Sequence, residues 1–391
     1  MVGPRHRLVL QTADRLARSG GQGPSLAALA SLAVMAASAA CTPDDDAMAD
    51  GPVETAHLRI TTTTDNPICA GTAPFLESEV VRIAEALELP LWAENDKLDV
   101  RFGEDSVAEV CTQHDPDTIF GCVAANGLTL AAKEVAYYAP HELVHAVRRR
   151  NFPLGHPLFE EGLAEILSGS DGFPRRVDYP HGEPHVGVEE MLGHSSADPS
   201  HYVWGSSFVS WLWEAHGQET LLSFVNDPSF SDDEALPLSF EDHFDQTLTE
   251  ADQAWAIDVR SDATWGAPCI PDRTYSLADG PVEVSGDFDC QEPSVYGASS
   301  SMALWSMCLD VPETTRVRIS FEANHGHFQV LGREPCNVGP AGSEAYRDKY
   351  LEAGETLEED IAGCRFQLFL FSQEPGFPAT PYTFRIEEID P

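Results

Sequence analysis

The chain has 391 residues, of which 64 are acidic and 23 are basic, so its formal net charge at pH 7 is −41. A charge of this size argues against nucleic acid and against anionic membrane surfaces as partners, and it indicates a solvated acidic surface. The composition predicts no particular oligomeric state.

Residues 1–41 have the pattern of an export signal. Several arginines precede an apolar, alanine-rich run, Leu26–Ala40, which is too short to span a membrane. The run ends at Cys41 and so resembles a bacterial lipoprotein signal, in which the cysteine is lipidated after cleavage, although Ser38 stands where a leucine is usual. Ordinary cleavage after Ala39 or Ala40 is the alternative.

A polar, aspartate-rich stretch follows the signal, and residues 42–56 are expected to form a disordered tether. We therefore expect the protein in the bacterial cell envelope or secreted. Membrane contact is expected only through a lipid anchor at Cys41.

The next hundred residues predict a small mixed sheet with one early helix. Residues 58–62 and the alternating residues 98–102 are expected strands, and residues 119–123 and 128–131 are candidates for two more. Between the first two strands, apolar residues from Leu76 to Leu87 recur on one helical face, which Pro90 ends.

The run His141-Glu142-Leu143-Val144-His145 predicts a metal site on a helix. Residues four apart lie one turn above each other, so the two imidazoles can bind one zinc ion while the glutamate points at a metal-bound water. The alternative is a surface helix with two solvated histidines. The apolar character of this helix argues against it, because buried histidines need partners.

A catalytic zinc takes three protein ligands and keeps its fourth position for water, so the site needs a third group. Glu161, at the start of the helical pattern of residues 159–167, is the expected ligand. His156, which lies between a glycine and a proline, is a rival.

The spacing separates the classes of such enzymes. Arg148 and Asn151 occupy positions where a metzincin would have glycine and histidine, which excludes that class. The chain instead resembles the gluzincins, in particular the aminopeptidase N-like and peptidase MA-like groups. Their Asn-Glu-Gly-Phe-Ala-Glu type segment is similar to Glu-Glu-Gly-Leu-Ala-Glu at residues 160–165. The resemblance implies that Glu161 is the ligand and that Glu165 orients a histidine ring.

Two features depart from that family. The interval between His145 and Glu161 is shorter than in the aminopeptidase N-like enzymes, and their Gly-x-Met-Glu-Asn motif for a free amino terminus is absent. The resemblance therefore does not imply aminopeptidase specificity.

Residues 201–212 are similar to the family's Tyr-x-x-Gly helix. The resemblance implies that Tyr202 stabilises the oxyanion of the tetrahedral intermediate. The alternative is a core tyrosine packed among Trp204, Phe208 and Trp211.

After residue 269 the pattern changes from helical to alternating, at residues 317–321, 366–370 and 382–386. The expected fold is therefore an α+β, zincin-like domain at residues 57–268, with a small mixed sheet and then mostly helices. An all-β sandwich is expected at residues 269–391. Residues 351–357 are similar to the pre-peptidase C-terminal domains of secreted bacterial proteases.

The chain has nine cysteines, and setting Cys41 aside leaves eight, an even number that predicts up to four disulfides in an exported protein. Cys111 with Cys122 is the shortest local pairing, and a bridge from Cys69 to Cys269 is expected across the first domain. No Cys-x-x-Cys spacing occurs, so a cysteine-based metal site is not expected.

Together these features predict zinc-dependent hydrolysis of peptide bonds in a peptide or protein substrate. Metal-activated water would be the nucleophile and Glu142 the general base. The alternative is a non-catalytic, zinc-binding envelope lipoprotein that uses a peptidase fold for recognition.

Overall fold

The structure is a computed structural model. It describes residues 52–62, 68–112, 115, 119–135, 138–168, 186–193, 201–231, 234–257, 273–298, 302–311, 315–323, 329–333, 349–361, 365–372 and 379–389. The export segment and Cys41 lie outside these residues.

The first sheet has five strands, which are β1 (Val53–Glu54), β2 (Leu58–Thr62), β3 (Leu98–Phe102), β4 (Gly121–Val123) and β5 (Thr129–Ala132). Their order is β1-β2-β3-β5-β4. The pairs β2–β3 and β3–β5 are parallel, whereas β1–β2 and β4–β5 are antiparallel. Because β4 is the last strand, its outer edge pairs with no strand in the described part of the chain.

The helices of this region are α1 (Thr72–Ala86), α2 (Glu104–Val110), α3 (Ala139–Asn151), α4 (Pro157–Ser168), α5 (Val188–Leu192), α6 (Ser206–His216), α7 (Gln218–Val225), α8 (Leu236–Phe244) and α9 (Leu248–Ile257). Helix α1 buries Leu76, Val80 and Ile83, which recur at helical spacing. In β3, Leu98, Val100 and Phe102 alternate inward. One hydrophobic core joins this sheet to α1, α3, α4 and the later helices.

The remaining strands form two sheets. They are β6 (Thr274–Ser276), β7 (Val282–Phe288), β8 (Tyr296–Ala298), β9 (Met302–Asp310), β10 (Thr315–Ala323), β11 (Gln329–Arg333), β12 (Lys349–Leu351), β13 (Thr356–Ile361), β14 (Arg365–Ser372) and β15 (Thr380–Glu388). One sheet has the order β13-β10-β15-β7; the other is β12-β11-β14-β9-β6, with β8 also paired to β9. A second hydrophobic core takes side chains from both sheets, for instance Trp305 stacked on Phe384 at 5.8 Å.

The sheet-rich region is fastened to the start of α1. Cys69 forms a disulfide with Cys290, so the expected partner, Cys269, was wrong. The reason is the local pairing of the two segments. The backbone N–H groups of residues 69–71 donate hydrogen bonds to carbonyls of residues 290–297, and this brings Cys69 beside Cys290. Phe75 then stacks on Tyr296 at a centroid distance of 4.1 Å.

The protein is mixed α/β with a sheet-rich C-terminal region, and the bridge between Cys111 and Cys122 is confirmed. Helix α2 was not predicted. The tether expected at residues 42–56 includes the short strand β1, and the boundary expected at 268/269 lies outside the described residues. In the described ranges, no helix is long and apolar enough to cross a membrane.

Candidate metal centre

Helix α3 presents His141 and His145 on one buried face. Pro140 lies in its first turn, where a missing N–H does no harm, and Arg148, Arg149 and Arg150 occupy its last turn, where positive charge complements the helix dipole. The two Nε2 atoms are 3.2 Å apart. The helix expected from the sequence is therefore buried, with both imidazoles turned to the same point.

Glu161, near the start of α4, completes the group. Its Oε2 lies 3.0 Å from Nε2 of His141 and 3.3 Å from Nε2 of His145. A tetrahedral ion with bonds of about 2.0–2.1 Å would hold its ligand atoms roughly 3.3 Å apart. His141, His145 and Glu161 could therefore hold a metal ion, each offering one ligand atom.

The charges of the three side chains are strongly coupled. Burial favours the neutral form of His141, but hydrogen bonds to Glu161 and Glu165 outweigh it and raise the pKa of that ring well above its ordinary value. Burial favours the neutral form of Glu161 too, yet the two histidines hold the pKa of its carboxyl well below the usual range. The cluster thus keeps a carboxylate in a buried place, which is typical of a site that binds a cation.

The two histidines differ in what holds their second nitrogen. Nδ1 of His141 lies 3.3 Å from Oε1 of Glu165, one turn beyond Glu161 on α4. Such a contact fixes the ring orientation of a metal ligand. Nδ1 of His145 is buried and has no hydrogen-bond partner among the described residues.

Glu142 lies beside the triad and under the edge strand. Its side chain is buried, and burial raises the pKa of its carboxyl, against the opposing effect of the two histidines. Gly121, at the start of β4, faces it: a methyl group there would lie 2.8 Å from Cγ and 2.9 Å from Oε1 of Glu142. This role of Gly121 was not predicted from the sequence; a glycine that opens the first strand of the hairpin before the histidine helix was the available signal.

Tyr202 approaches the site from a π-helical turn, His201–Gly205, that leads into α6. Its ring lies 5.7 Å from the ring of His141. Burial, and then the charges of Glu161 and Glu142, raise the pKa of the Tyr202 hydroxyl well above its ordinary value, so it stays protonated. Tyr202 can therefore donate a hydrogen bond beside the triad.

Two glycines, Gly162 and Gly205, allow the turn His201–Gly205 to pack directly against the backbone of α4. A methyl group at Gly162 on α4 would lie 2.7 Å from the carbonyl oxygen of Gly205, and one at Gly205 would lie 2.8 Å from that of Leu158. Real Cβ atoms do not approach backbone oxygens that closely, so both positions require glycine. Backbone contact between α4 and the turn is what places Tyr202 near Glu161.

The other acidic and histidine candidates are engaged elsewhere. Glu160 forms an ion pair with Arg148. His156 is buried: its Nε2 lies 3.2 Å from the carbonyl oxygen of Leu192, and its Nδ1 accepts a hydrogen bond from the backbone N–H of Leu158. His156 is thus neither solvated, as a loop histidine would be, nor part of the triad.

No protein-family model and no curated protein matches the chain. Solved structures similar to parts of it include PliG of Aeromonas hydrophila, a periplasmic inhibitor of g-type lysozyme, with 8% identity, 30% of this chain and 96% of that chain covered, and a TM-score of 0.20. Fe(II) HppE aligns with 10% identity, 47% and 99% covered, and a TM-score of 0.13. Co(II) HppE in complex with Tris buffer aligns with 11% identity, 47% and 98% covered, and a TM-score of 0.12. Scores this low do not establish a shared fold.

Proposed function

We propose that this chain is a zinc-dependent peptidase of gluzincin type that acts outside the cytoplasm. The observation that carries the proposal is the convergence of His141, His145 and Glu161, with Glu142 buried beside them. Two histidines and a glutamate are a ligand set that catalytic zinc uses in peptidases. When bound, zinc activates a water molecule and polarises the scissile carbonyl.

The chain's own residues supply the proton transfers. Glu142 accepts the proton of the attacking water and passes it to the leaving amine, a task for which its burial and raised pKa suit it. Tyr202 donates its hydroxyl hydrogen to the developing oxyanion. The orientation of His141 is kept by Glu165.

The outer edge of β4, which pairs with no strand in the described residues, suits an extended substrate at Gly121, whereas the outward carbonyl of Val123 already accepts a hydrogen bond from Arg149. A peptide that added as a further strand would satisfy its own backbone groups on this edge, next to Glu142. Two sets of contacts fix the β4–β5 hairpin to the rest of the protein. Arg149 donates from Nη1 to the carbonyl oxygens of Val123 (2.7 Å) and Ala124 (2.9 Å), and the Cys111–Cys122 disulfide fastens the middle of β4.

Export is supported by the disulfides, which persist in oxidising compartments outside the cytoplasm. We further propose a lipid anchor at Cys41. Expressed with its own signal in a bacterium, the mature chain should begin at a diacylated Cys41. Mass spectrometry that finds an unmodified N-terminus at Ala40 or later would contradict the anchor and leave the peptidase proposal untouched.

The test of the activity combines metal analysis with a peptide-library digest. The purified full-length chain should carry one zinc per molecule, cleave library peptides, lose cleavage with a chelator and regain it with zinc. Glu142→Gln is the matched control, since it should keep the metal and lose cleavage. A zinc-loaded wild-type chain that cleaves nothing would favour the non-catalytic, recognition role instead.

A further inference from the structure

An aromatic side chain is exposed to solvent directly before Gly121, the residue that faces Glu142. Phe120 is 51% exposed and is the aromatic member of the exposed large apolar residues in the described ranges. It is held in place: its ring stacks on Tyr138 at a centroid distance of 4.5 Å and an interplanar angle of 11°, and Nζ of Lys133 lies 5.3 Å from its centroid. We call the stacked rings of Phe120 and Tyr138 the Phe120 platform.

Both rings belong to backbone segments that contact Glu142. Phe120 directly precedes Gly121, whose Cα faces the Glu142 carboxylate. The carbonyl oxygen of Phe120 accepts a hydrogen bond of 2.7 Å from the backbone N–H of Lys133. Tyr138 is the N-cap of α3, and its carbonyl oxygen accepts a hydrogen bond from the N–H of Glu142 at 3.1 Å.

These contacts limit how far the platform lies from the reacting bond. Tyr138 is four residues before Glu142, which is just over one turn, or roughly 6 Å along α3. An extended peptide advances about 3.3 Å per residue. A substrate strand paired at Gly121, next to Glu142, would continue past Phe120, which directly precedes Gly121 in the chain.

We propose that the Phe120 platform is a specificity subsite that binds a large apolar side chain of the substrate, one or two residues from the scissile bond. The proposal rests on the proposed peptidase function and adds to it the class of peptide preferred. The exposed half of the Phe120 ring, which Tyr138 holds in place, offers a rigid apolar surface to aromatic and long aliphatic groups. The ammonium group of Lys133 beside the ring repels lysine and arginine at the same position, so the subsite also discriminates against basic residues.

A purely structural role for Phe120 makes a different prediction. If the ring only covered Tyr138, its removal would lower the thermal stability of the protein and leave the choice of peptide unchanged. The two roles are therefore separable by measuring preference and stability on the same variants.

The experiment compares wild type, Phe120→Ala and Phe120→Leu, with Leu128→Ala as the matched control. Leu128 is also an exposed apolar residue, but it lies at the opposite end of the β4–β5 hairpin. Cleavage sites in an equimolar peptide library are mapped by mass spectrometry, and zinc content and Tm are measured on each protein. Wild type should favour Phe, Tyr, Leu or Met near the scissile bond over Lys or Arg. In Phe120→Ala, the ratio of kcat/KM for apolar over basic peptides should fall about tenfold, because KM for the apolar peptides rises. In Phe120→Leu and Leu128→Ala the ratio should stay close to that of wild type.

A second measurement does not depend on turnover. Binding of one apolar library peptide is measured by calorimetry to zinc-loaded Glu142→Gln, with and without Phe120→Ala. Weaker binding in the double variant supports the platform, and equal binding overturns it, even if no peptide is ever cleaved. Cleavage with a profile that Phe120→Ala leaves unchanged overturns the platform while the peptidase function stands.

Discussion

Arg148 and Glu160 form an enclosed ion pair between the two helices that carry the candidate metal ligands. Nε and Nη2 of Arg148 each donate to one Glu160 oxygen at 2.9 Å, and neither side chain reaches the surface. Arg148 follows His145 by three residues on α3, and Glu160 directly precedes Glu161 on α4. Arg148 also donates to the carbonyl oxygen of Val225 at 2.9 Å. The pair therefore fixes the register of α3 against α4.

Removing one partner of this pair should be costly. Arg148→Met would leave the Glu160 carboxylate buried without its cation, which typically costs about 3–5 kcal/mol in the free energy of unfolding. Because Glu161 is adjacent, zinc affinity should fall as well. Urea denaturation and a competitive zinc titration measure the two effects.

Arg101→Met is the control for that change, because Arg101 pairs with Asp99 and Glu109 in a place that solvent reaches, and its loss should cost no more than about 1 kcal/mol. Replacing Arg148 and Glu160 together by methionine should recover part of the stability. Wild-type stability and zinc affinity in Arg148→Met would show that the pair does not set the helix register.

The roles of the two carboxylates on α4 can be separated by zinc content. Glu161→Ala should lose most of the metal, because it removes a ligand atom. Glu165→Gln should still fill with zinc when zinc is in excess, but with an affinity about 10–100-fold lower, since it only weakens the hold on His141. Full zinc occupancy in Glu161→Ala would instead show that Glu161 is not the third ligand and would leave Glu165, next to His141, as the remaining carboxylate.

Tyr202→Phe should lower kcat by about 10²–10³ and leave KM and zinc content nearly unchanged, because loss of one oxyanion donor removes transition-state stabilisation alone. Steady-state kinetics on a cleaved library peptide provide the measurement. Wild-type kcat together with a reduced Tm would make Tyr202 a packing residue only, and the metal centre would be unaffected.

Gly121→Ala should disable Glu142 without removing the metal. The added methyl group would overlap Cγ and Oε1 of Glu142, so the carboxylate must move from beside the triad. We expect a fall in kcat with zinc content and Tm close to wild type, measured by the same digest and metal analysis. Unchanged turnover would mean that the carboxylate relaxes at no cost to proton transfer.

The helical and strand elements near the metal centre followed from local patterns. The spacing of His141 and His145, and the alternation of residues 98–102, depend only on the periods of a helix and a strand, and the structure has both elements where they were expected. The position of Glu161 beside the two histidines was expected as well, because the gluzincin-like segment at residues 160–165 pointed to it.

Relationships between distant segments were not predictable in this way. The pairing of Cys69 with Cys290 depends on which strand lies against α1, and cysteine counts contain no such information. The Arg148–Glu160 pair, the Gly162–Gly205 contact and the exposure of Phe120 likewise depend on how elements meet. Helix α2 was missed because its seven residues are too few for a clear apolar period.

The disulfide between Cys69 and Cys290 spans 221 residues and so encloses the candidate metal centre, with all the helices from α1 to α9, in one covalent loop. Because a chain is synthesised from its amino end, Cys69 emerges long before Cys290. The helical region must therefore hold a free thiol until the sheet-rich region has followed. A truncation before residue 290 would leave that thiol unpaired and expose Phe75. In the chain-entropy model, closing a loop of this length stabilises the fold by about 5 kcal/mol. The helical region therefore reaches its full stability only after the sheet-rich region has supplied Cys290.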